Sequence, residues 1–180
     1  MQLLHSATRN YSWGSRTLIP HLQGQPDADK PVAELWFGAH PGDPSTVDGR
    51  LLNEVIAEDP AGQLGSRVSA EYGERLPFLL KVLAAEEPLS LQAHPSKAQA
   101  EEGFARENAA GIELTASNRN YKDDNHKPEL IVALTDFYAM AGFRPLARTR
   151  ELFAALECPE LDHYVAMLDD DPSATTESAN

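Results

Sequence analysis

Leu89-Ser90-Leu91-Gln92-Ala93-His94-Pro95 alternates apolar and polar side chains. A period of two predicts a short half-buried strand. Residues two apart on a strand share a face, so Ser90, Gln92 and His94 point one way and Leu89, Leu91 and Ala93 the other. At ~3.3 Å rise per residue, the Cα atoms of Gln92 and His94 lie roughly 6.5–7 Å apart. Both side chains can then converge on one metal ion. Taken alone, the heptapeptide reads more simply as a strand with one wet face and a chance histidine.

A second stretch changes the balance. Tyr121-Lys122-Asp123-Asp124-Asn125-His126-Lys127-Pro128-Glu129-Leu130 is polar and charged, then runs into the apolar Ile131-Val132-Ala133-Leu134. A loop thus delivers His, Lys and Glu to the mouth of a predicted strand. Pro128 biases Lys127 toward extended geometry.

LSLQAHP together with DDNHKPE resembles type I mannose-6-phosphate isomerases, zinc-dependent enzymes of cupin fold. Three further blocks match that family in the same order: Tyr11-Ser12-Trp13-Gly14, Ala33-Glu34-Leu35-Trp36-Phe37-Gly38-Ala39-His40-Pro41 and Pro77-Phe78-Leu79-Leu80-Lys81-Val82-Leu83. The resemblance reaches to about Pro145 and fades after it. It implies a mainly β, cupin-like jelly roll, incomplete at its C-terminal end, with helical segments and the start of an inserted helical domain. Residues 1–145 then form the N-terminal part of the catalytic cupin domain and 146–168 the start of a helical segment. Residues 169–180 are acidic and polar, and are expected to be a disordered tail.

The chain as a whole sets limits on function. Its 180 residues suit one domain with enough length to bury a core. A formal net charge of −13 argues against nucleic acid as a partner. No apolar run approaches the ~20 residues of a membrane helix. Met1-Gln2-Leu3-Leu4-His5-Ser6 lacks the charged and apolar regions of a signal peptide. Cys158 is the only cysteine, so an internal disulfide is impossible. These features together predict a cytoplasmic protein.

Local patterns divide the chain. Gln23 to Pro31 is rich in Gly, Pro and Asp and reads as a loop. Val32 to His40 is a predicted strand ended by Pro41-Gly42-Asp43-Pro44, with Glu34, Trp36, Gly38 and His40 on one face. Leu51 to Glu58 has helical spacing and Pro60 stops it. Ser69 to Gly73 adds a short turn of helix. Pro77 to Val82 is an apolar run interrupted by Lys81, which reads either as a snorkelling side chain or as a site residue. Ser96 and Gln99 form a capping-box pattern opening a helix that Gly111 closes. On that helix Lys97, Glu101, Glu102, Arg106 and Glu107 read as a solvated face. Thr115 to Asn125 is a polar loop of a length that often carries function. Glu129–Thr135 and Phe137–Phe143 read as strands, and Leu146–Leu156 and Leu161–Leu168 as helices.

The resemblance implies roles for named residues. Gln92, His94 and Glu129 are the implied zinc ligands, supplying an amide oxygen, an imidazole nitrogen and a carboxylate. The family's fourth ligand is a histidine much further along. None of His5, His21, His40, His126 or His163 stands in the block that carries that fourth histidine in the family. The implied reaction interconverts mannose 6-phosphate and fructose 6-phosphate by proton transfer between C2 and C1, through a cis-enediol(ate). It needs an electrophile for the developing oxyanion and a base working near ambient pH. Lys127 and His126 are both acid–base candidates. A lysine beside a bound cation is pushed toward its neutral form, while histidine titrates near neutrality unaided. Lys81, Ser90, Trp13 and Glu34 are candidates for holding the sugar phosphate. The partner is a hexose 6-phosphate, with neither nucleic acid nor membrane, and the complete protein is expected to be a monomer. The alternatives are a non-catalytic cupin-like module that binds sugar phosphate, or an inactive fragment.

Overall fold

The computed structural model describes residues 2–168, so the expected disordered tail at 169–180 lies outside the described residues. The chain divides into two compact units, Met1–Leu91 and Gln92–Asn180.

The first unit carries six short strands. They are β1 (Leu4–His5), β2 (Ala7–Arg9), β3 (Glu34–Phe37), β4 (Thr46–Val47), β5 (Arg50–Leu51) and β6 (Leu80–Leu83). Two three-stranded antiparallel sheets result, in the orders β1-β4-β5 and β2-β3-β6. The helices of this unit are α1 (Leu18–Leu22), α2 (Leu52–Glu58) and α3 (Pro60–Tyr72). Pro60 does end α2, as expected, but it also opens α3, because a proline at the first helical position gives up only an N–H that would lack an intrahelical partner. Asp59 caps α3 by accepting from the Gly62 N–H at 3.0 Å.

The core lies on one face of β2-β3-β6. Leu35 of β3 is buried beside Ile19 of α1 and Ala84, with Val32, Phe37 and Val82 packed against them. Burying an Ile or Leu contributes about 1.5–3 kcal/mol, so a few such side chains suffice to select which face of the sheet turns inward. Strand alternation then sends Glu34 and Trp36 to the opposite face. The register sets Lys81 opposite Trp36 and Arg9 opposite Glu34, so cations collect there. Gly14 lets the segment before α1 lie against the sheet. A Cβ at this position would come 2.6 Å from the Ala33 Cα. The close approach is used by Ser15, whose N–H donates to the Ala84 oxygen at 3.0 Å and whose oxygen accepts from Val32 at 2.9 Å.

The second unit is helical. It contains α4 (Lys97–Ala109), α5 (Leu146–Leu156), a 3-10 turn (Pro159–Leu161) and α6 (Asp162–Ala166). The capping box at the start of α4 forms as read. The Ser96 hydroxyl accepts from the Gln99 N–H, and the Gln99 side chain accepts from the Ser96 N–H at 2.9 Å. α5 has the expected bounds, whereas the helix expected at Leu161–Leu168 is split into the 3-10 turn and the short α6.

Several expectations are corrected. Leu89–Pro95, Glu129–Thr135 and Phe137–Phe143 form no strands. A strand exists through hydrogen bonds to a neighbour, and these segments have no ladder partner among the described residues. Their apolar side chains stay in solvent, with Leu130 90% and Tyr138 96% exposed. Helix therefore outweighs strand among the described residues, and the mainly β character expected from the sequence is not found there.

Candidate active site

On the polar face of β2-β3-β6 the side chains make a connected cluster. Glu34 is only 6% exposed. One of its carboxylate oxygens accepts from the Trp36 indole N–H at 2.8 Å, and the other lies 3.6 Å from the Lys81 ammonium. Lys81 also sits 5.0 Å from the centre of the Trp36 ring. The Arg9 guanidinium stands 5.0 Å from that ring and 5.1 Å from the Tyr11 ring. Aromatic faces attract cations through their quadrupole, so these rings hold both positive groups in place. Arg9 donates to Asp43 at 2.6 Å and to the Tyr11 hydroxyl at 3.1 Å. Those two bonds, Asp43 first, raise the Arg9 pKa above its ordinary value. Trp13 stacks on Tyr11 at 5.5 Å, and His40 meets Trp36 edge-on at 5.0 Å. Flat rings, two cations and hydrogen-bonding groups on one surface suit a polyhydroxylated, anionic ligand.

Of the expected sugar-phosphate residues, Lys81, Glu34 and Trp13 belong to this unit, and the first two are in direct contact. Ser90 is exposed on the unpaired stretch before Gln92. The sequence reading did not single out Arg9 or Tyr11 as contributors. Their signal is visible only once β2 is known to pair with β3.

In the second unit Gln92 and His94 come together. The Gln92 Oε1 and His94 Nε2 are 3.3 Å apart and exposed. That separation is long for a hydrogen bond. It equals the edge of a tetrahedron with bonds of about 2.0–2.1 Å, the lengths zinc takes to nitrogen and oxygen. One amide oxygen and one imidazole nitrogen are thus spaced as two ligands of a single ion would be. Among the described residues no three of His, Cys, Asp and Glu gather to hold a metal. The expected set includes only two such residues, His94 and Glu129, alongside Gln92. Glu129 and His126 are exposed. Lys127 is paired with Asp123 at 2.9 Å.

The loop that leads to these residues is fixed along α4. Glu107 accepts from the Asn120 N–H at 3.1 Å, the Asn120 amide at 3.1 Å and the Tyr121 N–H at 2.8 Å. The Arg119 guanidinium has a fully buried side chain and lies 3.1 Å from Glu107. It also donates to the oxygens of Tyr121, Ile112 and Asn108 at 2.5, 2.7 and 2.8 Å. Further back along the helix, the Lys97 ammonium donates to the Asp124 oxygen at 2.7 Å. Gly103, between them, leaves room for the Tyr121 ring, whose carbons would lie 2.5 Å from a Cβ. Glu107 was expected in solvent and is instead 6% exposed. A charge at that helical position is a buried anchor because the loop covers it, which no pattern within the helix announces.

The first unit thus carries a face of cations and aromatic rings, and the second an amide oxygen beside an imidazole nitrogen. Comparison with known proteins supplies the family. The family described as phosphomannose isomerase type I, catalytic domain, matches residues 1–146. Mannose-6-phosphate isomerase of Escherichia coli K12 is 46% identical over 177 residues, covering 94% of this chain and 45% of that protein. The human mannose-6-phosphate isomerase is 41% identical over 157 residues, covering 79% of this chain and 34% of that one. The Salmonella typhimurium mannose 6-phosphate isomerase in its apo form superposes with a TM-score of 0.79 at 44% identity, over 94% of this chain and 44% of its own. A crystal structure of the same Salmonella enzyme bound to its substrate f6p and a zinc atom superposes with a TM-score of 0.79 at 43% identity, over 93% and 44%. The chain belongs to the type I phosphomannose isomerase family. It spans less than half the length of these relatives.

Proposed function

We propose that this chain is part of a zinc-dependent aldose–ketose isomerase that interconverts mannose 6-phosphate and fructose 6-phosphate. The observation that carries the reading is the 3.3 Å spacing of Gln92 Oε1 and His94 Nε2 within a chain of this family. Gln92, His94 and Glu129 would hold the zinc. When bound, the metal supplies a positive charge that favours the negative charge developing on the sugar's oxygen. Lys127 or His126 is the base that moves the proton from C2 of the open-chain aldose to C1, through a cis-enediol(ate). Lys81, with Glu34 and Trp13 on the same sheet face, orients the phosphate and hydroxyls, and Ser90 adds a hydroxyl from the stretch before Gln92. The catalytic domain is a cupin-like jelly roll to which residues 1–145 contribute the N-terminal part. A family match ending at residue 146 and a helix beginning at Leu146 support that boundary. The lone Cys158 is in keeping with a reducing cytoplasm.

The test is conversion of mannose 6-phosphate in D2O, followed by NMR, with zinc content measured on the same samples. Loss of the C2 proton with appearance of fructose 6-phosphate is expected, together with loss of both zinc and conversion in His94→Ala. Mannose 6-phosphate should bind more tightly than mannose, because the surface carries cations. Equal affinity for the two sugars, or zinc and turnover retained in His94→Ala, would overturn the reading.

A further inference from the structure

We infer that Arg119 and Glu107 are positioning residues: α4 and the loop folded back along it set the distance between the two ligand-bearing stretches, Gln92–His94 and His126–Glu129. The inference rests on the zinc reading above. Its physical basis is the order of contacts along one helix. His94 is two residues before Ser96, the N-cap of α4, so one ligand stretch is tied to the N-terminal end of that helix. The loop meets α4 first at Glu107, near the C-terminal end, through Asn120 and Tyr121. It meets the helix again at Lys97, in the first turn, through Asp124. From Glu107 back to Lys97 is about 15 Å of helix at 1.5 Å per residue. The two attachments lie near opposite ends of α4, so the loop runs back along the helix, and His126, Lys127 and Glu129 follow the second attachment, at the end of α4 that Gln92 and His94 precede.

Arg119 is what makes the first attachment rigid. Its guanidinium joins the helix carboxylate, the end of the helix at Asn108, the following Ile112 and the loop at Tyr121. The Phe104 ring packs at 5.1 Å from it. A planar fork with five donors can bridge four acceptors in this way, whereas an ammonium cannot. The buried Glu107 carboxylate accepts from the loop's N–H groups and so ties the loop backbone to the helix. Neither residue reaches the reacting atoms. Each acts through the ligand stretches it spaces.

The test measures zinc affinity directly, by competition with a chromophoric chelator, on wild type, Arg119→Met, Arg119→Lys, Lys97→Met and His94→Ala. Amide hydrogen exchange of the zinc-free protein at Asn120, Tyr121 and Asn125 is followed in parallel. Residues that orient ligands typically change metal affinity about 10–100-fold when lost. Arg119→Met should fall in that range, with kcat lowered more than KM and exchange accelerated at Asn120 and Tyr121 even without metal. Arg119→Lys should recover little. Lys97→Met removes an exposed contact, and should weaken zinc in the same direction by a smaller factor. Should Arg119→Met not fold, Lys97→Met alone decides. Zinc affinity unchanged in every foldable loop variant, with His94→Ala still abolishing binding, would overturn the positioning role and leave the zinc site intact. Zinc affinity unchanged in His94→Ala would instead overturn the zinc site itself.

Discussion

Glu107 shows how much one side chain can depend on its surroundings. The N–H of Tyr121, and after it the Asn120 side chain and N–H, hold its carboxyl pKa below the ordinary 4.5, against the opposing effect of burial. A carboxyl whose folded pKa is depressed contributes stability above its unfolded pKa and loses it as pH falls through the folded one. Its contribution is therefore full above pH 4.5 and drains away below it. Chemical unfolding of wild type and Glu107→Gln should show a gap that is constant from about pH 7 to 5 and narrows as acid protonates the wild-type carboxyl. A gap that widens in acid would contradict the hydrogen-bond assignment. Glu34 is the comparable residue in the first unit, with its two oxygens committed to Trp36 and Lys81. There the carboxylate fixes a cation on a sheet face, where Glu107 fixes a loop on a helix.

At the scale of elements, α4 is the best determined part of the second unit. It has a formed capping box, a buried stripe of Ala100, Gly103 and Glu107, and a loop strapped to it. Ser96→Ala removes the hydroxyl that accepts from the Gln99 N–H. Such a loss costs about 0.5–2 kcal/mol. The expected outcome is a lower midpoint in urea with an unchanged slope, accompanied by faster amide exchange in the first turn of α4. Exchange unchanged there would mean that the loop, and not the cap, holds the helix start. The contrast with Glu129–Thr135 is instructive. That segment has the right residues for a strand and no ladder partner, since a helix closes its hydrogen bonds within itself and a strand does not.

At the scale of the whole molecule, apolar surface and charge oppose each other. Leu130, Val132, Leu134, Tyr138, Met140 and Phe143 are all largely exposed. Exposed apolar side chains in such number promote association. A net charge of −13 resists it through repulsion, and salt screens that repulsion beyond about 8–10 Å. A chain of these 180 residues should therefore bind a hydrophobic dye, and should scatter more light as ionic strength rises from about 0.01 to 0.5 M. Scattering that falls with added salt would argue that contacts between charges drive the association.

Local and periodic features were legible in the sequence itself. The cap of α4 was readable because Ser96 and Gln99 carry it within one helical turn, and the extent of α5 because its apolar spacing is a property of consecutive residues. The alternation in β3 told correctly that Glu34 and Trp36 share a face. The ordered motif blocks were enough to point to the family, since they preserve residue types at fixed spacing. Other facts waited for the tertiary structure. Arg9 joins Lys81 at Trp36 only because β2 and β6 flank β3, and register between distant strands is a long-range choice. Glu107 and Arg119 look like ordinary surface charges until a loop from more than ten residues away is laid over the helix. The stretch from Leu89 to Pro95 has a strand's alternation but no strand's ladder, because pattern decides which face could be buried, while pairing depends on what else lies beside it.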